Sequence, residues 1–183
     1  MAHIDMPQDC LPGIQGLFQQ FPETAAPLRA LAEVLLRAPN TLSRGERELI
    51  ATFVSTKNDC RFCGGSHAAF ASAQIEGGEA LVAAVRRDYR TAPISEKMRA
   101  LLAIAEQVQR SGKEVTKETV AAARQEGATD REIHDTVLIA AAFSMFNRYV
   151  DGLGTWAPDN EAMYAMIAPR IVENGYLVPA VTP

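Results

Sequence analysis

The stretch that decides how this chain folds is Asn58-Asp59-Cys60-Arg61-Phe62-Cys63-Gly64-Gly65-Ser66-His67, continued by Ala68-Ala69-Phe70-Ala71-Ser72-Ala73. Asn58 and Asp59 are good N-cap residues, and no proline interrupts the run before Gly77 and Gly78, so the spacing predicts a helix over 59–75. On such a helix Cys60, Cys63 and His67 stand at i, i+3 and i+7, one above the other on a single face. A thiol near a helix start meets unpaired backbone N–H groups and the positive end of the dipole, which favour the thiolate. An i, i+3 pair also keeps its Cα atoms within disulfide range, so Cys60 and Cys63 can cycle between dithiol and disulfide. His67, one turn beyond Cys63, is the side chain spaced to accept the Cys63 proton.

Upstream, Ser43 and Glu46 are spaced as a capping box and predict a helix over 42–55. Glu46 then has a structural task, and Glu48 is the freer carboxylate. A short turn at 56–58 would fold this helix back and let Glu48 orient the His67 imidazolium; the alternative is a solvated surface acid. Pro22 to Arg37 reads as an amphipathic helix with its prolines in the opening turns and Pro39 closing it. Further helices are predicted over 78–90, 94–110, 117–126, 130–153 and 160–173. No segment alternates with period two over a strand's length, so the fold class is all-α, a bundle of about seven to eight helices.

An internal echo suggests a duplicated helical unit. Ser43-x-x-Glu46-Arg47-x-Leu49-Ile50-Ala51 is matched by Ser95-x-x-Met98-Arg99-x-Leu101-Leu102-Ala103, with Ala100 where the first copy has Glu48. Thr129 and Glu132 form a second capping box, and the helix it opens is apolar nearly all round from Val137 to Phe146. Such a helix is buried in the core or against another subunit, so an oligomer is expected. Gly64 and Gly65 each cost a helix about 1 kcal/mol relative to alanine, and close approach of a neighbouring helix is the expected return.

The 183 residues, 48% hydrophobic with a net charge of -4, can bury one sizeable core and show no basic stripe for nucleic acid. No apolar run approaches the length of a membrane span, and the first residues do not read as a leader, so the expected location is the cytoplasm. Thiols stay reduced there, which makes a C-x-x-C pair catalytic or metal-binding sooner than structural. Cys10 has no partner nearby in sequence and reads as incidental. Asn147, Arg148 and Asp151 read as local hydrogen bonding at a helix end, His3 and His134 as solvated or structural. Trp156 and the tail to Pro183 read as a wrap around the body or a neighbouring subunit.

Glu48 followed by Cys60-x-x-Cys63-x-x-x-His67 resembles the alkylhydroperoxidase D (AhpD) and carboxymuconolactone decarboxylase-like superfamily, in particular its peroxidase-related members. The similarity runs from about Pro12 to about Gly154 and takes in Ser43-x-x-Glu46-Arg47-Glu48-Leu49 and Phe146-Asn147-Arg148-x-x-Asp151. It implies a single AhpD-like helical domain over 1–183, with its core at about 12–154 and a C-terminal helix and tail at 155–183. It also implies a thiol peroxidase in which Cys63 attacks a hydroperoxide, Cys60 resolves the product as a disulfide, and Glu48 and His67 relay protons. The oxidised pair is then reset by an external dithiol of lipoyl or thioredoxin type, no metal or flavin is required, and the assembly is a homo-oligomer, a trimer or a hexamer. Well-studied members carry a histidine just before the second cysteine, where this chain has Phe62. Two other readings stand beside it: a structural metal site of Cys60, Cys63, His67 and one carboxylate, and a carboxylactone decarboxylase, whose members generally lack the cysteine pair.

Overall fold

A computed structural model describes residues 2–178. Among them are nine α-helices and no strand: α1 (Ile14–Gln20), α2 (Pro22–Arg37), α3 (Arg44–Lys57), α4 (Arg61–Ser72), α5 (Gly78–Asp88), α6 (Glu96–Arg110), α7 (Lys117–Gln125), α8 (Asp130–Gly152) and α9 (Ala162–Asn174), with one 3-10 turn at Gly112–Glu114. The all-α class holds. Helix α1 is the addition to the sequence reading; it is seven residues long, follows Gly13 at φ 56° and has no side-chain cap, so neither periodicity nor capping announces it.

Helix α3 is the axis of the bundle. Every residue from Arg47 to Ser55 is buried, because α4, α6 and α8 pack around it. That burial includes four polar side chains, each of which must find a partner inside the protein. Arg47 donates to the Leu35 carbonyl (3.0 Å), Thr52 to the Glu48 carbonyl (2.8 Å), and Ser55 Oγ accepts from Asn147 Nδ2 (3.0 Å). Glu48 is engaged by the site.

Both capping boxes form as spaced, at Ser43/Glu46 and at Thr129/Glu132. The internal echo has a structural counterpart. Ser43 and Ser95 each cap their helix at 3.1 Å, and Arg47 and Arg99 each reach back to carbonyls at the end of the preceding helix, Leu35 at 3.0 Å and Tyr89 at 2.6 Å. The glycine expectation holds for one residue of two. A Cβ on Gly65 would lie 2.7 Å from the Tyr164 ring of α9, whereas Gly64 has nothing nearer than 3.8 Å. On α8 the apolar run is not covered all round within one chain, since Leu138 and Met145 lie on an exposed stripe.

Candidate active site

The cysteine segment departs from the sequence reading in register. Asn58 closes α3 and Asp59 takes the left-handed φ of 56°, so neither caps α4 with its side chain. Cys60 is itself the N-cap residue, in extended conformation, and the Gly64 N–H to Cys60 carbonyl bond (2.8 Å) opens the helix. Cys63 therefore lies in the first turn. The tight turn is pinned from outside: the Asn58 amide donates to Asn147 Oδ1 (2.8 Å) and accepts from Gln109 Nε2 (2.9 Å). A non-glycine residue at positive φ costs free energy, and here it stands one residue before a buried thiol.

Both cysteines of the pair are buried free thiols. Cys60 lies between the sulfur of Cys63 and the carboxyl of Asp151. The neighbouring Cys63 sulfur, then burial, push the Cys60 thiol up. Partial burial raises the Asp151 carboxyl, against the pull of the Cys60 hydrogen bond.

Glu48 is 1% exposed, which overturns its reading as a solvated acid. Folding α3 back onto α4 brings its Oε2 to 2.7 Å from His67 Nδ1. Its Oε1 accepts from Tyr176 Oη at 2.5 Å, and the Tyr176 ring stacks on the His67 ring, 19° from parallel with centroids 6.1 Å apart. Burial, then the Glu48 charge, hold the Tyr176 hydroxyl well above its ordinary range, so it remains a donor. Among the described residues no hydrogen bond joins His67 directly to Cys63; both face the same cavity of about 800 Å³. Cys60 and Glu48 lie behind its wall. No three His, Cys, Asp or Glu side chains among the described residues converge as a metal site, so the alternative ligand set is not assembled.

The sequence profile of the Carboxymuconolactone decarboxylase family matches residues 22–107, a span that holds Glu48, Cys60, Cys63 and His67. A peroxidase-related protein from Ralstonia eutropha JMP134, described as an alkylhydroperoxidase AhpD core, superposes with a TM-score of 0.77 at 25% identity, over 93% of this chain and 83% of that one. Residues 22–107 thus carry the Carboxymuconolactone decarboxylase family's sequence pattern, and the chain has the fold of these AhpD-like structures. Two more proteins of similar fold are a peroxidase-related protein from Silicibacter sp. TM1040 (TM-score 0.78, 23% identity, 90% and 94% covered) and a protein of unknown function from Agrobacterium tumefaciens (0.70, 20%, 87% and 100%). No curated protein matches significantly.

Sequence reading missed Tyr176. Within this AhpD-like chain it follows α9, in the tail taken for a wrap, and nothing local marks it. The tail to Val178 does wrap the body, but under tight control from α2. Arg37 donates to the Ile171 and Val172 carbonyls (both 2.9 Å), and Glu33 accepts from the Tyr176 N–H (2.8 Å). Gly175 makes the bend at φ 75°, where a Cβ would lie 2.4 Å from Glu33 Oε2. Residues 179–183 lie outside the described part. Cys10, read as incidental, stands in the cavity wall with its carbonyl accepting from Trp156 Nε1 (3.0 Å). Asn147 is not a local cap but the buried link between α8 and the cysteine turn. Phe62 sits in a small apolar cluster against Tyr164, its ring filling the space beside Gly13.

Proposed function

We propose that the chain is a thiol-dependent peroxidase for organic hydroperoxides. The observation that carries this is the asymmetry of the pair: Cys63 opens on an apolar cavity beside His67, while Cys60 lies outside its lining, against Asp151. The Cys63 thiolate attacks the terminal peroxide oxygen, an S–O bond forms and the O–O bond breaks. His67, kept in orientation by Glu48, gives a proton to the departing alkoxide, leaving an alcohol and a sulfenic acid.

Cys60 then loses its proton to Asp151 and attacks the Cys63 sulfur, so that hydroxide leaves, takes up a proton as water, and a disulfide remains. An external dithiol, lipoyl- or thioredoxin-type in the superfamily, returns both sulfurs to thiols. Tyr176 is a positioning residue in this scheme, holding the second oxygen of Glu48 so that the first stays on His67. Phe62 cannot serve that purpose. The exposed Leu138 and Met145 stripe on α8 supports a homo-oligomer, and we place the protein in the cytoplasm.

The test is a thiol count on the reduced protein before and after one equivalent of cumene hydroperoxide. Loss of two thiols, with peptide mapping that joins Cys60 to Cys63 and leaves Cys10 free, is expected. An unchanged count, or a disulfide through Cys10, sinks the reading.

A further inference from the structure

The aromatic side chains of this protein are unevenly placed. The chain holds seven Phe, four Tyr and one Trp, and eight of these twelve rings border the cavity. The main core is built differently. Its buried members are mostly Leu, Ile, Val and Ala, and of its four buried rings, Phe53, Tyr89, Phe143 and Phe146, the last two belong to the cavity wall as well. Phe62 and Tyr164 pack in one cluster with Cys63, edge-on to each other with centroids 6.2 Å apart. On the next turn of α4, His67 is flanked edge-on by Phe70 (5.3 Å) and Phe143 (4.6 Å), with Tyr176 stacked on it. Phe146 extends this group, edge-on to Phe143 at 5.5 Å. Of the other two wall rings, Phe18 is already engaged by the Arg29 guanidinium, 4.7 Å over it, and Trp156 is the exposed member.

Aliphatic side chains would line an apolar cavity equally well. A ring adds a quadrupole, which favours a second ring presented edge-on or offset and gives a saturated ring of the same size no such gain. Peroxide cleavage fixes where each part of a hydroperoxide lies: its terminal oxygen meets Cys63 and its inner oxygen meets His67. The carbon that bears the peroxide then falls among Phe70, Phe143 and Tyr176, the rings around the base. We propose that this wall is a ring-binding subsite, and that the substrate is an arylalkyl hydroperoxide with its aromatic ring on or next to the carbon bearing the peroxide. A cavity of about 800 Å³ has room for such a molecule. Attack on the terminal oxygen oxidises Cys63 to the sulfenic acid, and a proton from His67 releases the arylalkyl alcohol. The reacting end of this proposal rests on the thiol-peroxidase reading; the ring preference does not.

Binding can be read without any peroxide, because the single tryptophan, Trp156, lines the cavity and reports its occupation by fluorescence. The probes are 2-phenyl-2-propanol and 2-cyclohexyl-2-propanol, alcohols with the same number of heavy atoms, titrated into the reduced full-length protein. A cavity that is only hydrocarbon favours the cyclohexyl compound, which has the larger apolar area. The ring-lined wall should reverse that order and bind the phenyl compound about 2- to 13-fold more tightly. Phe70→Leu, which keeps an apolar side chain and removes a ring, should bring the ratio down toward one. Equal affinities in the wild-type chain, or tighter binding of the cyclohexyl compound, overturn the subsite while leaving the thiol chemistry standing. So does a ratio that Phe70→Leu and Phe62→Leu both leave unchanged. If neither variant folds, the wild-type ratio alone decides the matter. The hydroperoxides of the same two skeletons carry the test to the reaction. At low concentration the reduced protein should consume the phenyl one faster by the same factor, each rate being divided by that with free dithiothreitol, and equal normalised rates overturn the aryl substrate. Thiols that ignore both hydroperoxides, in a protein that still prefers the phenyl alcohol, remove the peroxidase and uphold the subsite.

Discussion

Replacing Tyr176 by phenylalanine removes one oxygen and leaves the ring on His67. In the intact protein Glu48 has a single donor on each oxygen, Tyr176 at 2.5 Å and His67 at 2.7 Å, and is 1% exposed. The substitution leaves Oε1 without a partner in a place where water is scarce. A hydrogen bond to a buried charge is worth about 1.5–3 kcal/mol, which for a chain of this length lowers Tm by about 3–12 °C. If half of that energy is used in orienting the imidazole during attack, the rate at Cys63 falls about 4- to 12-fold. Iodoacetamide alkylation of Cys63 near pH 7, followed by mass spectrometry, reads the rate, and thermal denaturation reads the stability. Glu48→Gln should be slower still, and His67→Ala slowest, since the base itself is then gone. A Tyr176→Phe protein that melts within about 1 °C of wild type and alkylates at the same rate would show that the hydroxyl contact is idle.

Cys60→Ser should react with one equivalent of hydroperoxide at the wild-type rate and stop at a sulfenic acid on Cys63, trapped by dimedone, whereas Cys63→Ser should not react; the reverse pattern exchanges the two roles. Gly65→Ala should destabilise by about 1–3 kcal/mol because its methyl meets the Tyr164 ring at 2.7 Å. Gly64→Ala, whose methyl would make ordinary van der Waals contact with Thr56 at 3.8 Å, should stabilise by up to about 1 kcal/mol, and denaturant titration of the pair checks the contrast. In alkali, Tyr176 has a folded-state pKa above the unfolded value of about 10, so its contribution is whole below pH 10 and declines above it by about 1.4 kcal/mol per pH unit; Tyr176→Phe should flatten that limb, and a parallel decline in both proteins would refute it. Light scattering should give a mass that is a multiple of 19.8 kDa, and Leu138→Glu with Met145→Glu should return it to the single-chain value if the α8 stripe is the contact.

Local chemistry made much of this fold legible. The prolines around α2 and the two capping boxes fix helix ends through groups within four residues of one another, and those ends fall where the spacing puts them. Helix α4 was displaced because Asn58 and Asp59, both suited to capping, were spent on a turn held by Asn147, a residue 89 positions away. The thiol pair, His67 and Glu48 could be singled out because they crowd into a short stretch. Tyr176 could not: its partner lies 128 positions earlier, and only the three-dimensional grip of α2 on the tail brings them together. Cys10 and Arg29 enter the site by the same kind of distant packing, which no periodicity records.

The grip of α2 on the segment after α9 also sets an order in time. The ribosome makes the α4 thiols first and the roof over them, Tyr164 and Tyr176, last. At synthesis rates of about 5–20 residues per second the gap is on the order of ten seconds. During that interval Gly65 has no ring against it, Glu48 lacks its second donor, and the nascent pair faces solvent with an incomplete acid-base partner. A growing chain thus carries its cysteines through the cell before it carries a working site. Stalled chains ending just after α8 should accordingly take up a thiol label at Cys63 without the pH profile of the finished protein.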